Sequence, residues 1–392
     1  MDLRLDRLAR NLGDEALRLF FPLAAGHAAL WPLAWVLVHR LDLPLAQAVP
    51  PAFWHAHEML TGAFGAALIG FLLTAPAEWT RQPRPRGRIL FAVAGLWAVG
   101  RLVGLVGGDA LALIAAVADL TWMGGLVAYL AVTAWRARSL ELRGFLAWVA
   151  VLWISEAAVW FGLLTGDLAL ARDALFGALL AFAGLLALAL ARITPRITNR
   201  VLDPTGARTP FRPHPARRNL APALIAVAGV ALAAGASMAV QGYLLIAAGA
   251  ACLDRSAEAF VGKACFRAEI LALGGAAALA GAGLILIGAS RIGLPLPELA
   301  GVHLLSMGGL GLAVLAVLVL AGRLHTGRPL GLGPLEKAAF VLLLGATFAR
   351  VLAALMVLPD LTGLLHALAA AVWAGAFLLW LVVHWPWLAA EG

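Results

Sequence analysis

The sequence predicts an all-α polytopic membrane protein, a bundle of about twelve transmembrane helices with both termini in the cytoplasm. Three observations carry this reading. Of 392 residues, 63% are hydrophobic and only 13% are charged, and the mean hydropathy is +0.93. A soluble chain of this size needs far more polar residues to cover its surface. Apolar runs long enough to cross a bilayer recur from end to end. The 42 glycines, with alanine throughout, suit the close helix contacts that drive association in lipid.

The elements follow in order. Residues 1–18 (MDLRLDRLARNLGDEALR) are charged and read as a short helix on the membrane surface, not as a cleavable signal; 1–16 precede the first span. Spans are expected at 17–39, 54–76, 88–107, 109–135, 144–165 and 169–191. After an Arg-rich loop, six more are expected at 220–240, 242–258, 268–290, 298–322, 337–358 and 361–385. The eighth is the weakest, because Asp254 and Arg255 shorten its apolar core. The whole chain reads as a single membrane domain of two six-span halves, 17–191 and 220–385, joined by loop 192–219 with seven Arg and five Pro. No internal repeat stands out.

Lys and Arg set the orientation. They gather in the loops after even-numbered spans, as in Arg81, Arg84 and Arg86 after the second, and almost vanish from the loops after odd-numbered ones. The positive-inside rule then puts the even loops and both ends in the cytoplasm. The net charge of +8 is thereby a topology signal, and a nucleic-acid partner is not called for. Two lone cysteines, Cys252 and Cys265, make neither a disulfide framework nor a thiolate cluster. No nucleophile–base pair or phosphate loop supports a hydrolase or ATPase.

Polar residues inside spans need a reason, since each charge at mid-bilayer costs roughly 2.5–3.5 kcal/mol on insertion scales. On this topology His39, His55, His57, Glu58, His303 and His366 fall towards the outer face. Arg101, Asp119, Glu156 and Arg350 lie in the outer halves of their spans. Histidine is the commonest metal ligand at neutral pH and the usual axial ligand of haem iron, and bundles build such sites from facing helices. His55, His57, His303 and His366 are the candidate metal or haem ligands. Glu58, Met59, Arg101, Asp119, Glu156 and Arg350 are the candidate supporting network. On a regular helix His55, Glu58 and Met59 share a face and His57 points away, so the two histidines are expected to do different jobs. The bland reading is a set of helix–helix hydrogen bonds and an Arg101–Asp119 ion pair. A lone His27 belongs to that class, His384 is expected at an interface, and most tryptophans are expected in interfacial belts.

Three segments go beyond composition: WHAHEMLTGAFGAALIGFLLTAPAEW (54–79), ARITPRITNR (191–200), and a stretch opening at His303 (HLLSMGGLG) and closing with RLHTGRPL (323–330). In this order on twelve spans they resemble the NnrS family of bacterial membrane proteins, over essentially the whole chain. The resemblance implies a haem- and copper-containing inner-membrane protein tied to nitric oxide and nitrosative stress, with a b-type haem as the expected cofactor and copper as a second. It favours His55, His57, Glu58 and His303 as site residues, and keeps Arg192, Asn199, His325 and Arg328 as a cytoplasmic motif. The chain departs from the family pattern at FFPLAAGH (20–27), at Leu324, around Ser155 and Glu156, and at LALGGAA (271–277). The expected mechanism has His57 and a second histidine, His303 or His366, on iron, a diatomic such as nitric oxide as small-molecule partner, and His55 with Glu58 and Met59 as a second metal or proton site. Two alternatives stand beside it: a twelve-span transporter of a small solute or metal ion, and a sensor or assembly factor docking through loop 192–219.

Overall fold

The computed structural model describes residues 2–41, 49–106 and 111–390. Every regular element among them is helical. A short amphipathic helix α1 (Asp2–Asp14) precedes α2 (Ala16–Leu41) and α3 (Pro51–Thr80). Then come α4 (Arg88–Val106), α5 (Ala112–Arg136), α6 (Leu140–Thr165) and α7 (Leu168–Leu202). The remainder are α8 (Arg217–Ala233), α9 (Met238–Ser256), α10 (Ala268–Arg291), α11 (Glu298–His325), α12 (Pro334–Ala354) and α13 (Thr362–Ala389). A helix stands at each of the twelve expected positions. Among the described residues, nine are long and apolar enough to cross a membrane. The other three are α4, which runs into residues outside the description, the 17-residue α8, and α9, which ends in Asp254 and Arg255. The chain is a multi-pass membrane protein.

Local chemistry sets the boundaries. Pro51 and Pro334 open helices at positions whose N–H would have no intrahelical partner. The Ser139 hydroxyl accepts the Leu142 N–H at 3.3 Å and so caps α6. Gly166, at φ +78°, ends the same helix in a left-handed conformation that costs glycine nothing.

The chain forms two compact units, residues 1–179 with 380–392, and residues 180–379. In the first, Arg18 donates to the carbonyls of Leu388 and Ala390, and Asn11 to that of Ala389, tying the N-terminal helices to the end of α13. In the second, α9 and α10 meet backbone to backbone. A Cβ on Gly249 would lie 2.6 Å from the Gly281 carbonyl oxygen, and one on Gly281 equally close to that of Gly249.

Two helices depart from α geometry. α3 turns π-helical over Glu58–Phe64, directly after His57, and α11 does so over Leu304–Gly311, directly after His303. Such turns are rare and recur at functional sites, because the widened register re-aims side chains.

Candidate metal centre

His57, the last residue before the π-helical turns of α3, sits in a closed ionic group of the first unit. Its Nε2 lies 2.7 Å from Glu156 Oε1 on α6 and 3.8 Å from Asp119 Oδ2 on α5. Its Nδ1 lies 3.2 Å from Glu58 Oε1. Arg101 on α4 donates from Nη2 to Asp119 at 2.8 Å and brings Nε to 2.7 Å from Glu58 Oε2. His27 on α2 places Nε2 3.1 Å from the same Glu58 oxygen. Five helices therefore contribute a titratable group to one point. His57, Glu58, Asp119 and Glu156 are at most 1% exposed, and Arg101 is 3% exposed.

The walls supply matching donors. Thr61 donates to Glu156 at 3.0 Å, Trp160 to Glu156 at 2.9 Å and Trp122 to Asp119 at 3.0 Å. Trp97 donates to the Gly62 carbonyl within the π-helical turns, also at 3.0 Å. The ring of His57 meets Trp54 and Trp160 edge-on. These buried indoles differ from the expected interfacial belts. An indole carries one N–H on an apolar body, which suits it to line a desolvated carboxylate. Two glycines make the approach possible. A Cβ at Gly62 would overlap the His27 ring, and one at Gly100 would lie 2.7 Å from Asp119 Oδ1.

Charge bookkeeping defines what the group can hold. Glu58 and Arg101 neutralise each other, which leaves Asp119 and Glu156 facing one imidazole. With His57 donating from both nitrogens, one negative charge is left over while His27, 3.1 Å from Glu58, is neutral, in a site without water-like screening. A proton on His27 or on a carboxylate, or a cation, balances it. His57, Asp119 and Glu156 each offer a ligand atom within 4.8 Å of the others, and one imidazole with two carboxylates suits a divalent first-row ion. Glu58 on Nδ1 then plays the carboxylate that orients a metal-binding histidine through its second nitrogen.

The other sequence candidates fall elsewhere. His55 stacks on Trp35 at 4.9 Å, and Met59 packs on an apolar cluster with Trp31, Trp54 and Trp160. Glu58 therefore joins His57 and not His55, because the π-helical turns begin at Glu58 and the regular 100° spacing ends there. The side chain of His39 lies outside the described residues. His303, His366 and Arg350 belong to the second unit. His303 donates from Nδ1 to the Leu299 carbonyl at 2.9 Å, which makes Nε2 the acceptor nitrogen. His384 is fully buried and stacked on Trp380 at 5.0 Å. Of the cytoplasmic motif, Asn199 pairs both ways with the Phe211 backbone, donating at 3.0 Å and accepting at 2.8 Å. Arg192 is half-buried on α7. His325 and Arg328 flank the turn after α11, which Arg323 holds by gripping Glu336 and the Pro329 carbonyl. Thr61 and Arg323 lie inside the quoted segments without having been singled out there; nothing in the local pattern of Trp97, Trp122, Trp160 and Glu336 separates them from ordinary span and loop residues.

The fold and this group define a polytopic helical membrane protein with a buried histidine–carboxylate centre. The family model described as NnrS protein matches residues 12–391, and the chain belongs to the NnrS family. No curated protein and no solved structure matches it.

Proposed function

We propose that this protein is a haem-binding, and in addition copper-binding, protein of the bacterial inner membrane that acts in the response to nitric oxide, with both termini cytoplasmic. The observation that carries the metal part is the buried His57–Asp119–Glu156 group, which offers three ligand atoms within 4.8 Å of one another, two of them from carboxylates. Copper(II) accepts such nitrogen and oxygen donors. In this reading His57 Nε2, Asp119 and Glu156 hold the ion. Glu58 orients the imidazole, and Arg101 keeps Glu58 ionised and in place. The candidate ligand for haem iron is His303, whose Nδ1–H is donated to the Leu299 carbonyl in the way that orients a metal-binding imidazole. His366 is the second candidate axial ligand, and His55 is offered to neither site. Haem, when bound, would supply an iron centre able to bind a diatomic ligand or to pass electrons. The nitric-oxide role rests on family membership.

The test is a visible spectrum with metal analysis on detergent-purified protein. A Soret band, bleached or shifted by His303→Ala, and copper in near-stoichiometric amount support the reading. Protein without a Soret band and with iron and copper far below stoichiometry overturns it.

A further inference from the structure

Helices α10 to α13 repeat the arrangement of α2 to α5. The helix starts correspond: Ala16 with Ala268, Pro51 with Pro297 (the residue just before α11), and Arg88 with Pro334. In the second helix of each set, α3 and α11, a histidine is followed at once by π-helical turns. The aligned stretches read HEMLTGAFG from His57 and HLLSMGGLG from His303, and they share the histidine and two glycines. Unrelated helices have no reason to place so rare a turn behind the same residue.

The contacts keep the same register within each unit. A Cβ on Gly62 would meet His27 of α2 and Arg101 of α4. A Cβ on Gly308 would lie 3.1 Å from Leu279 of α10 and 3.2 Å from Thr347 of α12. Gly65 faces Trp122 of α5, and Gly311 faces Trp373 of α13. His55 of α3 stacks on Trp35 of α2, while a Cβ on Gly301 of α11 would lie 2.8 Å from Ile287 Cγ1 of α10. One constant shift in numbering relates His55, His57, Gly62 and Gly65 to Gly301, His303, Gly308 and Gly311. A second relates His27 and Trp35 to Leu279 and Ile287.

What changes between the copies is charge. Glu58 corresponds to Leu304, Arg101 to Thr347, His27 to Leu279 and Asp119 to Ala370. The histidine persists, and in the second copy its Nδ1–H is fixed by a backbone carbonyl. In the other direction, α12 carries Arg350 where α4 has Gly104.

We infer that α2–α5 and α10–α13 are two copies of one four-helix unit, and that the second copy is a distinct site, centred on His303, that does not take the first copy's divalent cation, with Leu304 and Thr347 standing where the first copy has Glu58 and Arg101. The equivalence stands on geometry inside each unit. The contrast in occupants rests on the reading that the first copy holds a cation. Charge buried in such a wall is tolerated only as a matched pair.

Two measurements test this. The first compares Leu304→Glu, Thr347→Arg and the double variant by folded yield and Tm in detergent. Each single change is expected to lower both, and the double variant to recover more than half of the loss. A double variant no better than the worse single, or a silent Leu304→Glu, overturns the equivalence. The second titrates cobalt(II). Binding is expected to be lost in Asp119→Asn and unchanged in His303→Ala; a lower cobalt stoichiometry in His303→Ala overturns the exclusion of that cation from the second copy. Wild-type protein that binds no cobalt overturns the cation reading of the first copy, and with it the contrast in occupants, while the Tm comparison still decides the duplication.

Discussion

His57 and Glu156 stand 99 positions apart in the chain, and the imidazole Nε2 lies 2.7 Å from the carboxylate Oε1. This bond joins α3 to α6 and closes the ionic group on the side away from Arg101. Glu156→Gln keeps the shape of the side chain and removes its charge. Divalent-metal affinity is expected to fall by more than it does in Glu58→Gln, where loss of an orienting carboxylate costs about 10–100-fold. Titration calorimetry with cobalt(II) on both variants checks the order.

Arg101 is the fixed positive charge among three carboxylates. Arg101→Leu leaves Glu58 and Asp119 buried without it and is expected to destabilise the protein by about 3–5 kcal/mol. Adding Glu58→Gln should return part of that loss, because one of the stranded charges then disappears. Thermal unfolding of the two variants in the same detergent measures the difference.

The glycines of α3 predict a steric effect that has no electrostatic component. A Cβ at Gly62 would enter the His27 ring, whereas one at Gly26 would meet nothing within 4 Å. Gly62→Ala is therefore expected to cost roughly 1–3 kcal/mol, as overpacking does, and to weaken metal binding. Gly26→Ala should leave both unchanged, and the paired Tm and cobalt measurements report it.

Outside the membrane, Asp203 accepts hydrogen bonds from the Thr205 hydroxyl and N–H and from the Arg208 N–H. These bonds, the Thr205 hydroxyl first, hold its carboxyl below the ordinary range. The sign follows from linkage: the contribution is present above the unfolded value of about 4 and is lost as pH falls through the lower folded value. Hydrogen exchange in 203–211, taken relative to the intrinsic chemical rate at each pH, is expected to stay constant from neutral pH down to about 5 and to accelerate below about 4. Asn199→Ala, which removes the clasp on Phe211, should accelerate it at every pH.

The helices were legible because lipid demands long apolar runs, and each run announces itself. The in-span charges Glu58, Arg101, Asp119 and Glu156 were legible as a set for the same reason, since each is costly and needs a partner. Their pairing was not. His57 reaches Glu58 through a π-helical turn, and a 100° period cannot anticipate that turn. Thr61, Trp122 and Trp160 donate to the carboxylates but look like ordinary span residues. The repeat was hidden because its second copy kept the histidine and two glycines of the aligned π-helical stretch while its charges were exchanged for Leu, Thr and Ala.

The central claim is that His57, Asp119 and Glu156 together hold a metal cation. The most direct test is elemental analysis of protein purified without chelator or added metal, wild type beside Asp119→Asn, each shown to be folded by its Tm. The account predicts about one first-row metal ion per chain beyond any haem iron in the wild type, and at least a tenfold loss in the variant. Equal metal content in two folded proteins would contradict it.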